Sequence, residues 1–304
     1  MININIENET KRLKVVVVGI ADDFGGDPKV EECYDPKSKN HVLAGTFPQQ
    51  EDILKEMNDL INIFEQYKIR VLRPYNIQGL NQIFPRDIAF VIENKIIVAN
   101  IIENRKKEID AIDMVLNQIS DEDKIKMPES ARAEGGDVMP WNEYIFVGYS
   151  EKEDFEKYIV ARTNREGLDF LAATFPNKMV KGFDLNKSDD NPRENVLHLD
   201  CCFQPIGKDM AILYKGGFKN EKDVEFLVNY FGVDNIIEIS KEEMYNMNAN
   251  VFSISEDVIV SEKGFARLNT ELRKRGFTVE EVRYAEIAKM EGLLRCSTMP
   301  LLRE

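Results

Sequence analysis

The sequence has few of the residues that most often mark a reactive site or a disulfide framework. Its 304 residues include 2 histidines, 4 cysteines and 1 tryptophan. Because Cys201 and Cys202 are adjacent in the chain, the cysteines make a poor disulfide framework, and we expect a reducing, cytoplasmic compartment. His41 lies in a polar stretch that we predict to be a loop. His198 is therefore nearly the only candidate for proton transfer near neutral pH.

The chain also lacks long apolar runs and an excess of positive charge. No run approaches the roughly 20 apolar residues that are needed to cross a bilayer. The N-terminal residues begin polar, without the apolar segment and cleavage site of a secretory signal. A formal net charge of −14 argues against nucleic acid and anionic membranes as partners. With 43% hydrophobic residues, the chain can bury the core of one large domain or two small ones.

What the sequence does contain is a recurring unit. Four times, a strand-like run is followed by a tight polar turn and a second apolar run, which predicts a β-hairpin. The predicted hairpins span residues 84–101, 135–148, 196–214 and 248–261, and helical periods span 52–67, 151–174, 221–231 and 264–275. The terminal runs 13–20 and 296–302 each lack a partner. Pairing them completes a fifth hairpin and closes a ring with a period of roughly 45 to 65 residues.

Reactive residues fall at equivalent positions of these units. Asp87, Glu134, His198, Asn248 and Cys296 each lie in, or at the start of, the first strand of a unit. In a closed ring, equivalent positions converge on the axis, so residues that are distant in sequence would meet at one central site. A nucleophile, a base and carboxylates without the spacing of metal ligands favour covalent catalysis on a cationic substrate.

Cys296 and His198 each have a structural and a chemical interpretation. A lone cysteine in an apolar segment is commonly a small buried hydrophobe. A nearby cation, such as Arg295 or a bound substrate, would instead favour its thiolate, and a nearby histidine could act as its base. His198 alternates with apolar residues, so we predict that His198 and Asp200 share one face of a strand. That pair is either a proton-transfer pair or a core histidine with an acidic partner.

The remaining polar motifs are weaker by themselves. Glu134 and Asp137 flank two glycines, which permit an unusual backbone path or the close approach of a ligand, or mark an ordinary turn. Asp87 ends an FPRD tetrad that could be a surface pair. Arg105 and Arg162, taken alone, are typical of solvated charges.

Taken in order, the motifs resemble those of the guanidino-group-modifying, or pentein, superfamily of arginine deiminases, dimethylarginine dimethylaminohydrolases and amidinotransferases. The segments that carry the resemblance are Phe84–Asp87, Ala133–Val138, Phe146–Ser150, Ala161–Asn164, Leu197–Phe203 and Glu291–Leu301. The resemblance implies an α/β fold, the five-bladed α/β propeller of ββα-type repeats with pseudo-fivefold symmetry, in which the N- and C-terminal strands close the ring. It also implies that residues 1–304 form a single catalytic domain.

The resemblance implies a catalytic set of three residues. Cys296 would be the nucleophile, His198 the general acid and base, and Glu134 the carboxylate that orients His198. The reaction would pass through a covalent amidino-cysteine intermediate. We expect neither a metal nor another cofactor.

The resemblance also implies three residues that bind substrate. Asp87 and Asp200 would grip the guanidinium group, and Arg162 would hold the substrate carboxylate. The acidic insertion at residues 151–160 could displace Arg162 from that place. We expect a cationic guanidino compound as the partner, with no nucleic acid and no membrane, and a homodimer as the assembly to test.

Two activities and one non-catalytic alternative remain open at this point. The short chain, the GLLRC motif and the RTN motif resemble the dimethylargininases, and they favour hydrolysis of arginine or an N-substituted arginine to citrulline plus ammonia or an amine. The alternative is an amidinotransferase, because residues 247–260 resemble that group. A non-catalytic binding protein of the same fold is disfavoured, since the chain keeps the whole set of cysteine, histidine and carboxylates.

Overall fold

The computed structural model describes the whole chain, residues 1–304, as a mixed α/β fold. Its strands are mostly runs of β-branched and aromatic residues, which suit a pleated and buried surface. The strands are β1 (Leu13–Val18), β2 (Arg70–Leu72), β3 (Ala89–Ile92), β4 (Lys95–Val98), β5 (Lys124–Lys126), β6 (Val138–Trp141), β7 (Tyr144–Tyr149), β8 (Met179–Asp184), β9 (Phe203–Ile206), β10 (Met210–Leu213), β11 (Ile236–Glu238), β12 (Phe252–Ser255), β13 (Val258–Glu262), β14 (Thr278–Val282) and β15 (Thr298–Arg303).

The strands form five sheets of three strands each, all with one pattern. In every sheet the central strand pairs antiparallel with one neighbour and parallel with the other. The central strands are β1, β4, β7, β10 and β13. Four of the antiparallel pairs are the predicted hairpins. The sequence patterns did not predict the third, parallel strand of each sheet, which follows the intervening helical segment.

The first sheet joins the two ends of the chain. Strand β15 runs antiparallel to β1, with Val16 opposite Pro300 and Val18 opposite Thr298. The pairing of the N-terminal and C-terminal runs is therefore confirmed. It places the segment just before β15, which contains Cys296, beside the start of the chain.

Ten helices accompany the sheets, and half of them lie in the predicted periods. They are α1 (Pro36–Leu43), α2 (Gln50–Gln66), α3 (Pro85–Ile88), α4 (Lys107–Ala111), α5 (Asp113–Leu116), α6 (Lys152–Lys157), α7 (Arg165–Thr174), α8 (Glu221–Phe231), α9 (Lys241–Tyr245) and α10 (Ala266–Lys274). Helix α2 buries Ile53, Met57, Leu60 and Phe64 along one stripe, as its 3.6-residue period predicts. No helix combines the length and apolarity that a membrane span requires.

Three local predictions were wrong. The acidic stretch 151–174 is two helices, α6 and α7, with the RTN motif in the break between them. His41 belongs to α1 and not to a loop. The FPRD tetrad forms the short helix α3 before β3, because Pro85 occupies a first-turn position where its missing N–H costs nothing.

Candidate active site

Five loops bring the candidate residues together. Each loop directly precedes the first strand of a sheet: Asp87 precedes β3, Glu134 precedes β6, His198 precedes β9, Asn250 precedes β12 and Cys296 precedes β15. All five side chains are buried. The equivalence of positions predicted from the sequence therefore holds for the loops before the strands, and four of the five predicted residues meet there.

His198 is held by Glu134. The Nε2 atom of His198 lies 2.9 Å from Oε2 of Glu134. Burial alone would raise the pKa of Glu134, but Arg162, His198 and Arg105 outweigh it and lower that pKa to about 2. Because the carboxylate is ionised and can only accept, Nε2 carries the proton of this hydrogen bond. The Nδ1 atom has no hydrogen-bond partner and lies 3.7 Å from Oδ1 of Asp87.

The histidine is also biased towards its charged form. Burial lowers the pKa of His198, but the neighbouring carboxylates of Asp87, Asp137 and Glu134 outweigh burial and raise it. A larger protonated fraction near neutral pH suits a group that must donate a proton.

The two glycines between Glu134 and Asp137 make room for this histidine. A Cβ atom on Gly136 would lie 2.7 Å from the His198 ring, and one on Gly135 would lie 2.1 Å from the carbonyl oxygen of Arg86. Neither glycine has a positive φ. Close approach is therefore the reason for these glycines, and what approaches Gly136 is the histidine ring.

The thiol of Cys296 lies between an amide and a carboxylate. Its Sγ atom is 3.2 Å from Nδ2 of Asn250 and 3.6 Å from Oδ2 of Asp200. Burial raises the pKa of the Cys296 thiol well above its usual value, and Asp200 and Asp87 raise it further. The unliganded site therefore holds the thiol form, and a cation bound beside these two carboxylates would favour the thiolate.

Asn250 is a site residue that the sequence patterns missed. Its Oδ1 accepts hydrogen bonds from the backbone N–H groups of Arg295 at 2.9 Å and of Cys296 at 3.3 Å. Asn248, which the sequence predicted at this position, instead lines a neighbouring cavity of about 520 Å³ with Lys37. A signal was present, because the loop carries two asparagines and the strand β12 begins two residues after the second one.

Asp200 reaches the site by a different route from the one predicted. Residues Leu199–Cys201 form a turn of 3-10 helix, so His198 and Asp200 do not share a strand face. The Oδ2 atom of Asp200 accepts a hydrogen bond from Nη1 of Arg295 at 3.0 Å. Both side chains still enter one site, because the turn directs Asp200 towards Cys296.

Arg105 and Arg162 are buried and paired, contrary to the solvated charges that each suggests alone. Nη1 of Arg105 donates to Oδ2 of Asp87 at 2.8 Å. Nη1 of Arg162 lies 3.6 Å and Nη1 of Arg105 lies 3.9 Å from Oε2 of Glu134. The insertion at residues 151–160 thus leaves Arg162 beside the carboxylate of Glu134.

Several buried acceptors in this site have no donor. They include Oδ1 of Asp87 and Oε1 of Glu134, and Nδ1 of His198 also has no hydrogen-bond partner. Asp87, Glu134 and His198 offer ligand atoms within 4.8 Å of one another, so they could hold a metal ion. The same unpaired acceptors also suit an organic cation that donates several hydrogen bonds, because unsatisfied buried polar atoms are costly.

The segment before α1 covers the site. Asp35 caps α1, with its Oδ1 accepting from the Ser38 N–H at 2.7 Å. The N–H of Lys37 donates to Oε2 of Glu291 at 3.4 Å, which ties α1 to the loop that carries Cys296. Residues from the first part of the chain thus contact the loop that carries Cys296.

The fold and the site define the class of protein. Five three-stranded sheets with a cysteine, a histidine and carboxylates at the converging loops belong to the guanidino-group-modifying, or pentein, superfamily. Within it, the chain belongs to the family described as N,N dimethylarginine dimethylhydrolase, eukaryotic, which matches residues 44–303. The protein is thus a guanidino-modifying enzyme, of the hydrolase or the amidinotransferase type.

Individual relatives are distant. The chain is 28% identical over 244 residues to the uncharacterized protein YkgA of Bacillus subtilis, a match of 77% of this chain and 78% of that one. It is 25% identical over 197 residues to the dimethylarginine dimethylaminohydrolase of Pseudomonas aeruginosa, covering 65% and 67%. It is 26% identical over 293 residues to the arginine deiminase of Listeria welshimeri, covering 82% and 67%.

Two solved structures share the fold. The N-terminal domain of ArgZ, an arginine dihydrolase of cyanobacteria, matches with a TM-score of 0.79 and 16% identity over 95% of this chain and 98% of that one. That domain was solved with a covalently bound reaction intermediate. The amidinotransferase SxtG of Microseira wollei matches with a TM-score of 0.76 and 16% identity over 99% and 97%.

Proposed function

We propose that this protein is a cysteine-dependent hydrolase of the guanidino group of arginine or an N-substituted arginine. It would release citrulline plus ammonia or an amine through a covalent amidino-cysteine intermediate. The observation that carries the proposal is the pair of carboxylate oxygens without donors, Oδ1 of Asp87 and Oε1 of Glu134, in a buried site that also contains His198 and Cys296. A guanidinium group has five N–H donors in one plane and can satisfy several such acceptors at once.

Binding and activation would be one event. In the unliganded site, burial raises the pKa of the Cys296 thiol most, and the carboxylates of Asp200 and Asp87 raise it further. A guanidinium held by these carboxylates cancels their charge, so the thiol loses its proton to solvent and the thiolate forms when the substrate is in place. The thiolate then attacks the central guanidinium carbon, and a carbon–sulfur bond forms.

His198 would serve both halves of the reaction. In the first half, the imidazolium donates the proton on Nδ1 to the departing nitrogen, the carbon–nitrogen bond breaks, and an S-alkylthiouronium remains on Cys296. In the second half, neutral His198 takes a proton from water, which attacks the same carbon. The carbon–sulfur bond then breaks, the departing sulfur takes the proton of the adduct hydroxyl group to restore the thiol, and the product is a urea. Glu134 keeps Nε2 protonated throughout, which leaves Nδ1 for both transfers.

Arg162 would bind the carboxylate of the substrate. Its Nη1 is buried and has no hydrogen-bond partner, whereas the three guanidinium nitrogens of Arg105 all have acceptors. A guanidinium N–H that has no acceptor is a suitable donor for a carboxylate oxygen. This assignment favours arginine-like substrates over guanidino compounds that have no carboxylate.

We also infer that the five sheets form a closed five-bladed propeller and that residues 1–304 form one catalytic domain. The pairing of β1 with β15 supports closure, because it joins the first sheet from both ends of the chain. The meeting of loops from all five sheets around Cys296 supports a pseudo-fivefold arrangement.

Mass spectrometry of products tests the activity. The protein is incubated with arginine, N-methylated arginines, agmatine and guanidino acids, and we expect a urea-type product from arginine or an N-substituted arginine. Cys296→Ser should abolish turnover but keep substrate binding within about tenfold, since a hydroxyl is a much weaker nucleophile. His198→Gln, quenched with acid during turnover, should carry an added amidino group on the peptide that contains Cys296.

Added amines show whether the second nucleophile is water or an amine substrate. Glycine, lysine and ornithine are added in turn, and a hydrolase should form its urea product regardless of them. A new guanidino product in their presence would make the enzyme an amidinotransferase. Full activity in Cys296→Ser, or failure of the protein to bind or convert any guanidino compound, would overturn the proposal.

A further inference from the structure

Tyr34, in the segment just before α1, lies against both buried arginines of the site. The Tyr34 ring centroid is 5.5 Å from Cζ of Arg162 and 5.9 Å from Cζ of Arg105. The carbonyl oxygen of the same residue accepts a hydrogen bond from Nη2 of Arg162 at 2.8 Å. One residue thus contacts Arg162 through its ring and through its backbone.

The nitrogens of Arg162 are not equally engaged. Its Nε donates to the carbonyl oxygen of Ile159 at 2.8 Å, and its Nη2 donates to that of Tyr34. Nη1 has no hydrogen-bond partner and lies 3.6 Å from Oε2 of Glu134. Arg162 is buried, so this nitrogen is a donor position without an acceptor, next to the carboxylate of Glu134.

Arg105 offers no such position. Its Nε and Nη2 donate to Glu108 at 2.8 Å, and its Nη1 donates to Asp87 at 2.8 Å. Because all three nitrogens already have acceptors, Arg105 supports the charge of the site without an edge to offer. The ring of Tyr34 therefore controls an open position only at Arg162.

The chemistry of a guanidinium explains how both partners fit. Aromatic rings favour its flat faces, whereas carboxylates favour its edges, where the N–H groups point. A ring against Arg162 and a backbone carbonyl on one nitrogen together fix the plane of the group. With that plane fixed, Nη1 keeps one direction and can receive a carboxylate without first losing side-chain freedom.

We propose that Tyr34 is a positioning residue that orients Arg162 for the carboxylate of the substrate and thereby sets the selectivity for guanidino compounds that carry one. The proposal rests on the proposed function, because it needs a guanidino substrate. It predicts that the ring of Tyr34 contributes to binding of arginine and not to binding of agmatine, which has the same guanidino group but no carboxylate. The phenolic hydroxyl has no part in this role.

Calorimetric binding in the Cys296→Ser background tests it, with the full chain and two probes, arginine and agmatine. Tyr34→Leu should weaken arginine binding by about tenfold and agmatine binding by less than about twofold. Tyr34→Phe, which keeps the ring, should bind arginine within about twofold of the parent protein. In the same Tyr34 variants with Cys296 intact, KM for arginine should rise while kcat changes little.

The control is Tyr75→Leu, because Tyr75 is 66% exposed and far more accessible than Tyr34. It should change neither probe. Equal weakening of both probes by Tyr34→Leu, or arginine binding in that variant within threefold of the parent, would overturn the proposal. If agmatine binds neither the parent protein nor Tyr34→Leu, the ratio of their affinities for arginine decides alone, with the same threefold threshold. Absence of arginine and agmatine binding in every variant, including the parent, would instead remove the proposed function itself.

Discussion

At the scale of single residues, the site is governed by how burial and charge compete. Burial alone would make His198 neutral and Glu134 protonated, because a buried charge loses its hydration. The pKa of Glu134 is nevertheless lowered to about 2 and that of His198 is raised, because the two groups lie 2.9 Å apart among other charges. Each group is therefore held in the charged form by its neighbours.

This coupling yields a prediction for Glu134→Gln. The amide keeps the size of the side chain but removes the negative charge, so the pKa of His198 should fall. Because His198 must be protonated to act as an acid, the alkaline limb of kcat/KM should move to lower pH. Titration by nitrogen-detected NMR can follow the ring directly, since His41 is the only other histidine and serves as the internal reference. An unchanged or higher pKa of His198 would contradict the assignment of Glu134.

At the scale of the elements, the loops before the strands hold the candidate residues of the site. The loop from Glu134 to Asp137 is an example. Its Asp137 side chain accepts the N–H of Leu199 at 2.9 Å, which joins this loop to the one that holds His198. Gly136 lies in the same loop directly against the His198 ring.

Gly136→Ala should therefore act through the histidine. The added methyl group would lie 2.7 Å from the ring, so the ring must move out of line. We expect kcat to fall by about a hundredfold, as is common when a catalytic group is misplaced by about 1 Å.

The matched control for this change is Gly182→Ala in β8. There the added methyl group would also be too close, at 2.6 Å, but to the end of the Leu168 side chain, which can rotate away. Similar activity losses in both variants would mean that Gly136 is needed for general packing and not for the position of His198.

At the scale of the whole molecule, one buried ion pair joins the beginning of the chain to its end. Glu9 contacts Arg295 through two hydrogen bonds, at 3.1 and 3.2 Å, across 286 residues of sequence. Arg86 lies 3.9 Å from the same carboxylate. Burial and the adjacent Arg295 lower the pKa of Arg86 to about 9, although the carboxylate of Glu9 acts in the opposite direction. The charges of Arg86 and Arg295 are thus stabilised by Glu9.

Glu9→Gln should destabilise the fold in a pH-dependent way. Burial would raise the pKa of Glu9, but Arg295 and Arg86 lower it from 4.5 to about 2. A lowered folded-state pKa contributes stability above the unfolded value and loses it as pH falls from about 4.5 to about 2. We expect the substitution to lower the free energy of unfolding by about 3 kcal/mol at pH 7. The difference between the parent and the variant should narrow as the pH falls through that window. Urea unfolding at several pH values measures the difference at pH 7 and its change with pH.

The control here is Glu304→Gln, which breaks the exposed pair with Lys14 of β1 and should change stability little. A single unfolding transition in the parent protein is also expected if residues 1–304 form one domain. A Glu9→Gln effect that is no larger than that of Glu304→Gln would exclude this ion pair as a major link between the chain ends.

The sequence by itself determined the local elements and the chemical groups. Helix periods and hairpin patterns could be recognised because both kinds of structure form their hydrogen bonds between residues that are close in sequence. Helix α8 and the hairpin of β9 and β10 follow directly from those patterns. The pairing of β1 with β15 was predicted instead because the two terminal runs had no partner close in sequence. The motifs that contain Asp87, Glu134, His198 and Cys296 were equally visible, since each has a distinctive composition.

Only the tertiary structure decided which side chains meet. Arg162 contacts Tyr34 across 128 residues, and Asn250 contacts Cys296 across 46. Such contacts lie in loops, which have no hydrophobic period, and their geometry depends on how five separate sheets pack around them. The sequence could therefore predict a nucleophile and its acid, but the packing chose Asn250 over Asn248 and buried two arginines that composition alone would leave in water.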